Sequence, residues 1–268
     1  MSRSERAPRP GDRIIVALDV PDRAGALNLT ERLSGLVSTF KIGSELFTAE
    51  GPSLVREVVD SGAGVFLDLK FHDIPNTVAG ACASSARLGV SILNVHALGG
   101  EDMMRVAARS VAESWRAGNA PPETCTGGPA WPFLSRDVAG SGQGRRPAII
   151  AVTVVTSMDV ASLSQVGISS SVQEEVVRLA TLARDAGLDG VVASPNEIEI
   201  IRERVARDRF MIVTPGVRPA WAESGDQKRI ATPAEAVRRG ADFIVIGRPI
   251  TASPDPRAAA ERTIEEIA

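Results

Sequence analysis

A single-domain α/β fold, the (β/α)8 or TIM barrel, is what this 268-residue chain predicts. Three observations carry the prediction. Short apolar, β-branched runs recur along the chain, and there are eight of them. Stretches with helical spacing separate the runs. Together they occupy about 250 residues, the size of one such barrel. The competitor is a doubly wound open sheet, which would carry a Gly-rich dinucleotide turn after its first strand. Here the first run instead ends Leu18-Asp19-Val20-Pro21.

The runs lie at 13–19, 39–42, 63–70, 91–96, 148–153, 190–193, 210–214 and 242–247. They are nearly continuous in apolar character, as expected of strands covered on both faces. Between them, Val172, Val176, Ala180 and Ala183 form a stripe at helical spacing, with Glu174, Glu175, Arg178 and Arg184 off it. Pro195 and Pro233 suit first helical turns, each after a possible cap, Ser194 or Thr232. Gly89, Gly187 and Gly240 fall where helices should stop before the next strand. The polar residues 1–12 read as a flexible N-terminal segment ahead of a barrel spanning 13–268. One segment breaks the rhythm: 118–147 holds six glycines and five prolines in 30 residues. It reads as a surface insertion between the fourth helix and the fifth strand, with Trp131 and Phe133 able to tether it.

Bulk properties narrow the function. A net charge of −3 argues against a general nucleic-acid or anionic-membrane binder. Cys82 and Cys125 are too few for a disulfide framework or a zinc site, which suits a reducing compartment. No run approaches the roughly 18 apolar residues of a membrane helix, so a cytoplasmic protein is expected.

The chemistry gathers where strands run out. Residues 66–77 read Phe-Leu-Asp-Leu-Lys-Phe-His-Asp-Ile-Pro-Asn-Thr. Asp68 and Lys70 are two apart and face the same side of a strand, and Asp73 follows just before Ile74-Pro75. Charges at the end of a buried strand are costly unless they pair or perform chemistry. A plain Asp–Lys ion pair closing the strand is one reading; the longer Asp-x-Lys-x-x-Asp-Ile-Pro-Asn-Thr string points to an active site. Barrel enzymes work at the carboxyl ends of their strands. There the chain places Asp19, Lys41, Asp68 with Lys70, Asn94, His96, Thr156, Ser157, Ser194, Arg218, Gly247 and Arg248. The alternation Asp–Lys–Asp–Lys lets each charge neutralise a neighbour and fixes Lys70 as a possible proton donor. His72 reads as a packing or hydrogen-bonding residue, and His96 as a satisfied strand-end histidine.

A second cluster follows the last two strands. Thr214-Pro215-Gly216-Val217-Arg218-Pro219 and Ile246-Gly247-Arg248-Pro249 each set a glycine and an arginine just past a strand. Free backbone amides, a helix start and guanidinium groups suit an anion, and barrels often bind phosphate after strands seven and eight. The polar stretch 220–230, with Gln227, Lys228 and Arg229, is long enough to close over a ligand. No His or Cys pair has metal-ligand spacing, and no Ser-His-Asp arrangement stands out.

These pieces closely resemble the bacterial type of the orotidine 5′-phosphate decarboxylase family. The matching motifs are 15–19, Phe40-Lys41-Ile42-Gly43, 68–77, 152–157, 214–219, Gly225-Asp226-Gln227-Lys228-Arg229 and 245–250, in the family's order. The resemblance implies conversion of orotidine monophosphate to uridine monophosphate and carbon dioxide, in pyrimidine synthesis, without cofactor or metal. It makes Lys70 the donor to C6, places Asp68 against the substrate carboxylate, and has Lys41 hold Asp68 and the ribose. Asp19 would bind ribose hydroxyls, and Thr156 and Ser157 would read the pyrimidine edge. Gln227 would link phosphate and base; Arg218, Gly247 and Arg248 would grip the phosphate, with Pro215 among the substrate-binding residues. Asp73 and Thr77 would enter the neighbouring subunit's site, which implies a homodimer. The 118–147 segment departs from the usual bacterial pattern.

Two alternatives remain at this point. One is a metal-dependent sugar-phosphate decarboxylase or aldolase on the same barrel, whose carboxylate at the second strand is here replaced by Lys41. The other is a non-catalytic phosphate-ligand binding barrel.

Overall fold

The strands are β1 (Ile14–Ala17), β2 (Thr39–Gly43), β3 (Gly64–Phe71) and β4 (Ile92–His96), followed by β5 (Ala148–Val152), β6 (Gly190–Val192), β7 (Met211–Thr214) and β8 (Phe243–Ile246). All eight are parallel and pair in chain order, and β8 returns to β1 to close the barrel. The structure is a computed structural model and describes residues 9–116, 146–205, 210–222 and 231–268. The 118–145 part of the expected insertion, with Trp131 and Phe133, lies outside these residues, as do Cys125, Gln227, Lys228 and Arg229.

The period of two along each strand divides the apolar residues between two cores. Ile15, Phe66, Ile92, Ile150, Met211 and Phe243 fill the barrel interior. Their neighbours Ile14, Val16, Ile42, Val65, Leu67 and Leu93 join the larger core beneath the helices. Apolar residues on both faces of the strands are thus buried, which is why the runs look continuously apolar rather than alternating.

The helices on that outer face are α1 (Arg23–Leu33), α2 (Ser44–Asp60), α3 (Pro75–Ala86), α4 (Gly100–Arg116) and α5 (Val160–Gln165). They continue as α6 (Val172–Asp185), α7 (Ile198–Arg204), α8 (Pro233–Arg238), α9 (Arg248–Thr251) and α10 (Pro256–Ile267). Helix α6 follows its predicted stripe, burying Val176, Ala180 and Ala183, and begins with a capping box between Ser171 and Glu174. Thr232 caps α8 through the amide of Glu235, with Pro233 at the first turn. Gly187 (φ 84°) and Gly240 (φ 109°) follow the ends of α6 and α8 in the left-handed region, where other residues are strained.

Two boundaries differ from the sequence reading. Helix α7 begins at Ile198 rather than at Pro195, because the Ser194 hydroxyl donates to the Glu197 carboxylate instead of capping a first turn. At the start of the chain, Pro10–Arg13 forms a 3-10 turn in which Gly11 and Asp12 are buried. The segment expected to be flexible up to residue 12 is therefore built into the barrel base from Arg9 onward, where Arg9 pairs with Asp12 at 3.1 Å. Among the described residues, no helix is long and apolar enough to cross a membrane.

Candidate active site

On the first four strands the inward face carries polar or charged groups where it reaches the carboxyl end. On β1 the sequence Ile15, Ala17 leads to Asp19; on β2 Thr39 leads to Lys41; on β3 Phe66 leads to Asp68; on β4 Ile92 leads to Asn94 and His96. One period of two thus packs the interior below and lines its mouth above. Lys41 Nζ lies 3.2 Å from Asp19 Oδ1 and 3.6 Å from Asp68 Oδ2, and Lys70 Nζ lies 2.7 Å from Asp68 Oδ1. The four predicted charges form one chain of alternating sign. Lys41 and Asp68 are largely buried, whereas the Lys70 and Asp19 side chains remain 39% and 54% exposed, within reach of a ligand.

Lys70 is held in an unusual backbone conformation. Its φ of 52° makes it the single non-glycine residue at positive φ among the described residues. The pairing of β3 with β4 explains why. Leu67 pairs with Leu93 and Phe71 with Val95, so four steps on β3 match two on β4 and two extra residues bulge out. Asn94, fully buried on β4, fastens the bulge: its Oδ1 accepts from Lys70 N at 2.7 Å, and its Nδ2 donates to Asp68 Oδ1 at 2.7 Å. Sequence reading placed Asn94 at a strand end but assigned it no task.

Burial by itself would push the Asp68 carboxyl up, but Lys41 and Lys70, with hydrogen bonds from Lys70 and Asn94, outweigh it and hold the group below the ordinary carboxylate range. His96 is shifted down, first by burial and then by His72 and Lys70. Its Nδ1 accepts from Leu98 N at 3.3 Å and its ring stacks on the exposed His72 with centroids 5.4 Å apart, so His96 is hydrogen-bonded and packed. Leu18, Asp19, Val20, Lys41, Gly43, Ser44, Glu45, Asp68 and Lys70 are among the residues around a cavity of about 250 Å³.

Other expected site residues ring the same end of the barrel. Gly247 abuts this cluster: a side chain there would bring its first carbon within 3.3 Å of Asp19 Oδ2. Arg248 is exposed at the start of α9, directly after β8. Pro215 and Arg218 follow β7, where Gly216 turns at φ 75° and Arg218 N donates to Ala231 O at 3.0 Å. Thr156 and Ser157 occupy an exposed turn past β5. Arg218 and Arg248 are not among the residues around that cavity, whereas Gly247, which precedes Arg248, lies beside Asp19. Asp73 and Thr77 are exposed; the Asp73 carboxylate accepts from Ile74 N at 2.6 Å, and Lys70 is salt-bridged to Asp68. Gln227 lies outside the described residues.

Residues 12–263 match the orotidine 5′-phosphate decarboxylase / HUMPS family. This chain belongs to that family. It is 54% identical over 257 residues to orotidine 5′-phosphate decarboxylase of Moorella thermoacetica, covering 96% of this chain and 92% of that one. The Geobacter sulfurreducens protein of the same name is 52% identical over 256 residues, covering 96% of each. The crystal structure of orotidine 5′-phosphate decarboxylase from Lactobacillus acidophilus superposes with a TM-score of 0.76 at 32% identity, covering 96% of this chain and 99% of that one. Membership of the decarboxylase family gives the alternating Asp–Lys array at the barrel mouth a reaction to perform.

Proposed function

We propose that this chain decarboxylates orotidine monophosphate to uridine monophosphate, with Lys70 as the proton donor. The observation that carries the reading is the Lys41–Asp68–Lys70 array, an ammonium positioned over a cavity in a family of decarboxylases. The carbon–carboxylate bond at C6 breaks, its electron pair stays on C6, and carbon dioxide leaves. The Lys70 ammonium then delivers its proton to C6 and is reprotonated from water. A carbanion at C6 has no neighbouring electron sink in the pyrimidine, so a preorganised cation is the stabilising element the reaction needs. The substrate carboxylate lies toward Asp68. Two ammonium groups flank that aspartate, and this positive charge opposes a metal ion at the same point.

Binding is divided around the rim. Asp19 and Lys41 hold the ribose, Thr156 and Ser157 read the pyrimidine edge, and Pro215, Arg218, Gly247 and Arg248 receive the phosphate, which Gln227 links to the base. Grip on the distant phosphate is then expressed at the reacting carbon as transition-state stabilisation. Asp73 and Thr77 complete the site of a second subunit in a homodimer. A cytoplasmic enzyme of nucleotide synthesis fits the low cysteine content.

An absorbance assay with orotidine monophosphate tests this reading. Wild-type protein should turn the substrate over equally with and without a chelator, and Lys70→Ala should lose turnover while still binding uridine monophosphate. Near-normal turnover in that variant would remove Lys70 as donor. Chelator-sensitive activity would favour a metal-dependent chemistry, and binding without turnover by the wild type would leave only a phosphate-ligand barrel.

A further inference from the structure

We infer that Asn94 is a positioning residue for the reaction, its amide holding both the backbone and the ammonium of Lys70 in register with Asp68. The inference rests on the decarboxylase reading above. Its basis is a closed ring of hydrogen bonds. The Lys70 amide donates to Asn94 Oδ1 at 2.7 Å, Asn94 Nδ2 donates to Asp68 Oδ1 at 2.7 Å, and the same Asp68 oxygen accepts from Lys70 Nζ at 2.7 Å. The ring therefore starts and ends on one residue. It fixes Lys70 at its backbone and at its tip, and it does so across the bulge, where β3 and β4 fall out of register.

The Asn94 amide meets a two-sided requirement. One end of the group must accept from a peptide N–H while the other donates to a carboxylate. An ionised aspartate offers acceptors alone, an apolar residue offers neither, and glutamine is one carbon too long for a fully buried site. Without the ring, Lys70 retains a left-handed backbone with no partner for its amide, and that conformation is costly for a side chain with a Cβ. The ammonium would then drift from the reacting carbon. A misplacement of about 1 Å costs on the order of 100-fold in rate. The charged or titratable groups facing the ring are Lys41 and Lys70 at Asp68, Asp19 at Lys41, and the stacked His72 and His96 beside Lys70.

Asn94→Asp and Asn94→Ala separate positioning from packing. In Asn94→Asp two carboxyl groups stand within hydrogen-bonding distance and repel each other when both are ionised, so the pair takes up a proton more readily than Asp68 does alone. A protonated Asp at 94 donates to Asp68 and still accepts from the Lys70 amide, which restores the ring. Measured on orotidine monophosphate, kcat of Asn94→Asp should fall on the order of 100-fold at pH 8, with KM changed by less than about threefold. Its activity relative to wild type should then rise as the pH is lowered to 5. For Asn94→Ala, which has no proton to regain, the ratio should stay flat.

A flat ratio for Asn94→Asp overturns the proposal, as does a loss seen mainly in KM. Failure of Asn94→Asp to fold would also overturn it, because a purely structural amide is then sufficient. Where only Asn94→Ala fails to fold, the isosteric variant decides. An inactive wild type would instead refute the decarboxylase reading, so the two failures are distinguishable.

Discussion

Lys70 is the most constrained residue of the barrel mouth. A lysine at φ 52° gives up about 1–2 kcal/mol relative to an ordinary backbone. The bond from its amide to Asn94 and the ion pair with Asp68 offset that cost, and the conformation aims the ammonium across the barrel mouth. Asp68 is the hub, since both lysines and the amide of Asn94 converge on its two oxygens. This convergence has a consequence for acid stability. The folded-state pKa of Asp68 is lowered, so its contribution to stability is fully present above the unfolded value, about pH 4, and is lost as the pH falls through the folded value. Wild type and Asp68→Asn should therefore be unfolded in urea at several pH values between 6 and 3.5. The difference in unfolding free energy should move in favour of the variant as the solution becomes more acidic. A difference that is constant over that range would mean the carboxylate gains nothing from its two lysines.

At the scale of elements, the two ends of the barrel do different work. The carboxyl ends line the cavity, whereas the amino ends are stapled by half-buried ion pairs. Arg146 forks onto Asp189, which also accepts from Ile149 N at 2.8 Å. Arg202, near the end of α7, donates to Phe210 O at 2.7 Å, to Gly240 O at 2.7 Å and to the Asp242 carboxylate. Asp242 in turn accepts from Ile212 N at 2.7 Å, so one arginine ties α7 to the starts of β7 and β8. Arg202→Ala removes the ion-pair partner of the Asp242 carboxylate, leaving it the Ile212 amide and the field of Arg13, and takes this donor from two carbonyls. It should lower the unfolding free energy by about 3 kcal/mol and the thermal midpoint by several degrees. The variant's kcat/KM at a temperature where it remains folded should match wild type, because the staple lies at the opposite end from Lys70. Comparing melting curves with turnover checks this, and a loss of turnover without a loss of stability would contradict the division of labour.

The same two ends explain what was legible in the sequence. Strands buried on both faces read plainly, because nothing but apolar runs suits them, and Gly187 and Gly240 marked real helix ends. The charges of the site read plainly too, since Asp19, Lys41 and Asp68 continue the inward face of their strands. The bulge did not. A period-two reading puts Asp68 and Lys70 on one regular strand, and nothing local marks a lysine for positive φ; the cause is Asn94, a partner 24 residues further on. Ser194-Pro195 misled for a related reason, since a hydroxyl bond to Glu197 replaced the expected cap.

The whole molecule raises the question of assembly. Asp73 is exposed and Ile74, next to it, is 66% exposed, the largest fraction among the large apolar residues described. His72, on the other side of Asp73, stacks on His96, two residues before the 41%-exposed Leu98. Such apolar groups at an enzyme's mouth suit cover by a second copy, which would carry Asp73 and Thr77 across to the partner's Lys70. In the proposed two-fold dimer each site would then need Lys70 from one chain and Asp73 from the other. Subunits of Asp73→Ala and Lys70→Ala, each nearly inactive alone, should complement when unfolded together and refolded at equal amounts. Random pairing makes half of the dimers hybrids, each with one intact site, so activity should recover to about a quarter of wild type. Mixing without subunit exchange should leave the activity low, which separates true complementation from residual turnover. If refolded mixtures show dimers by light scattering but no activity above the sum of the parents, Asp73 serves the site of its own chain.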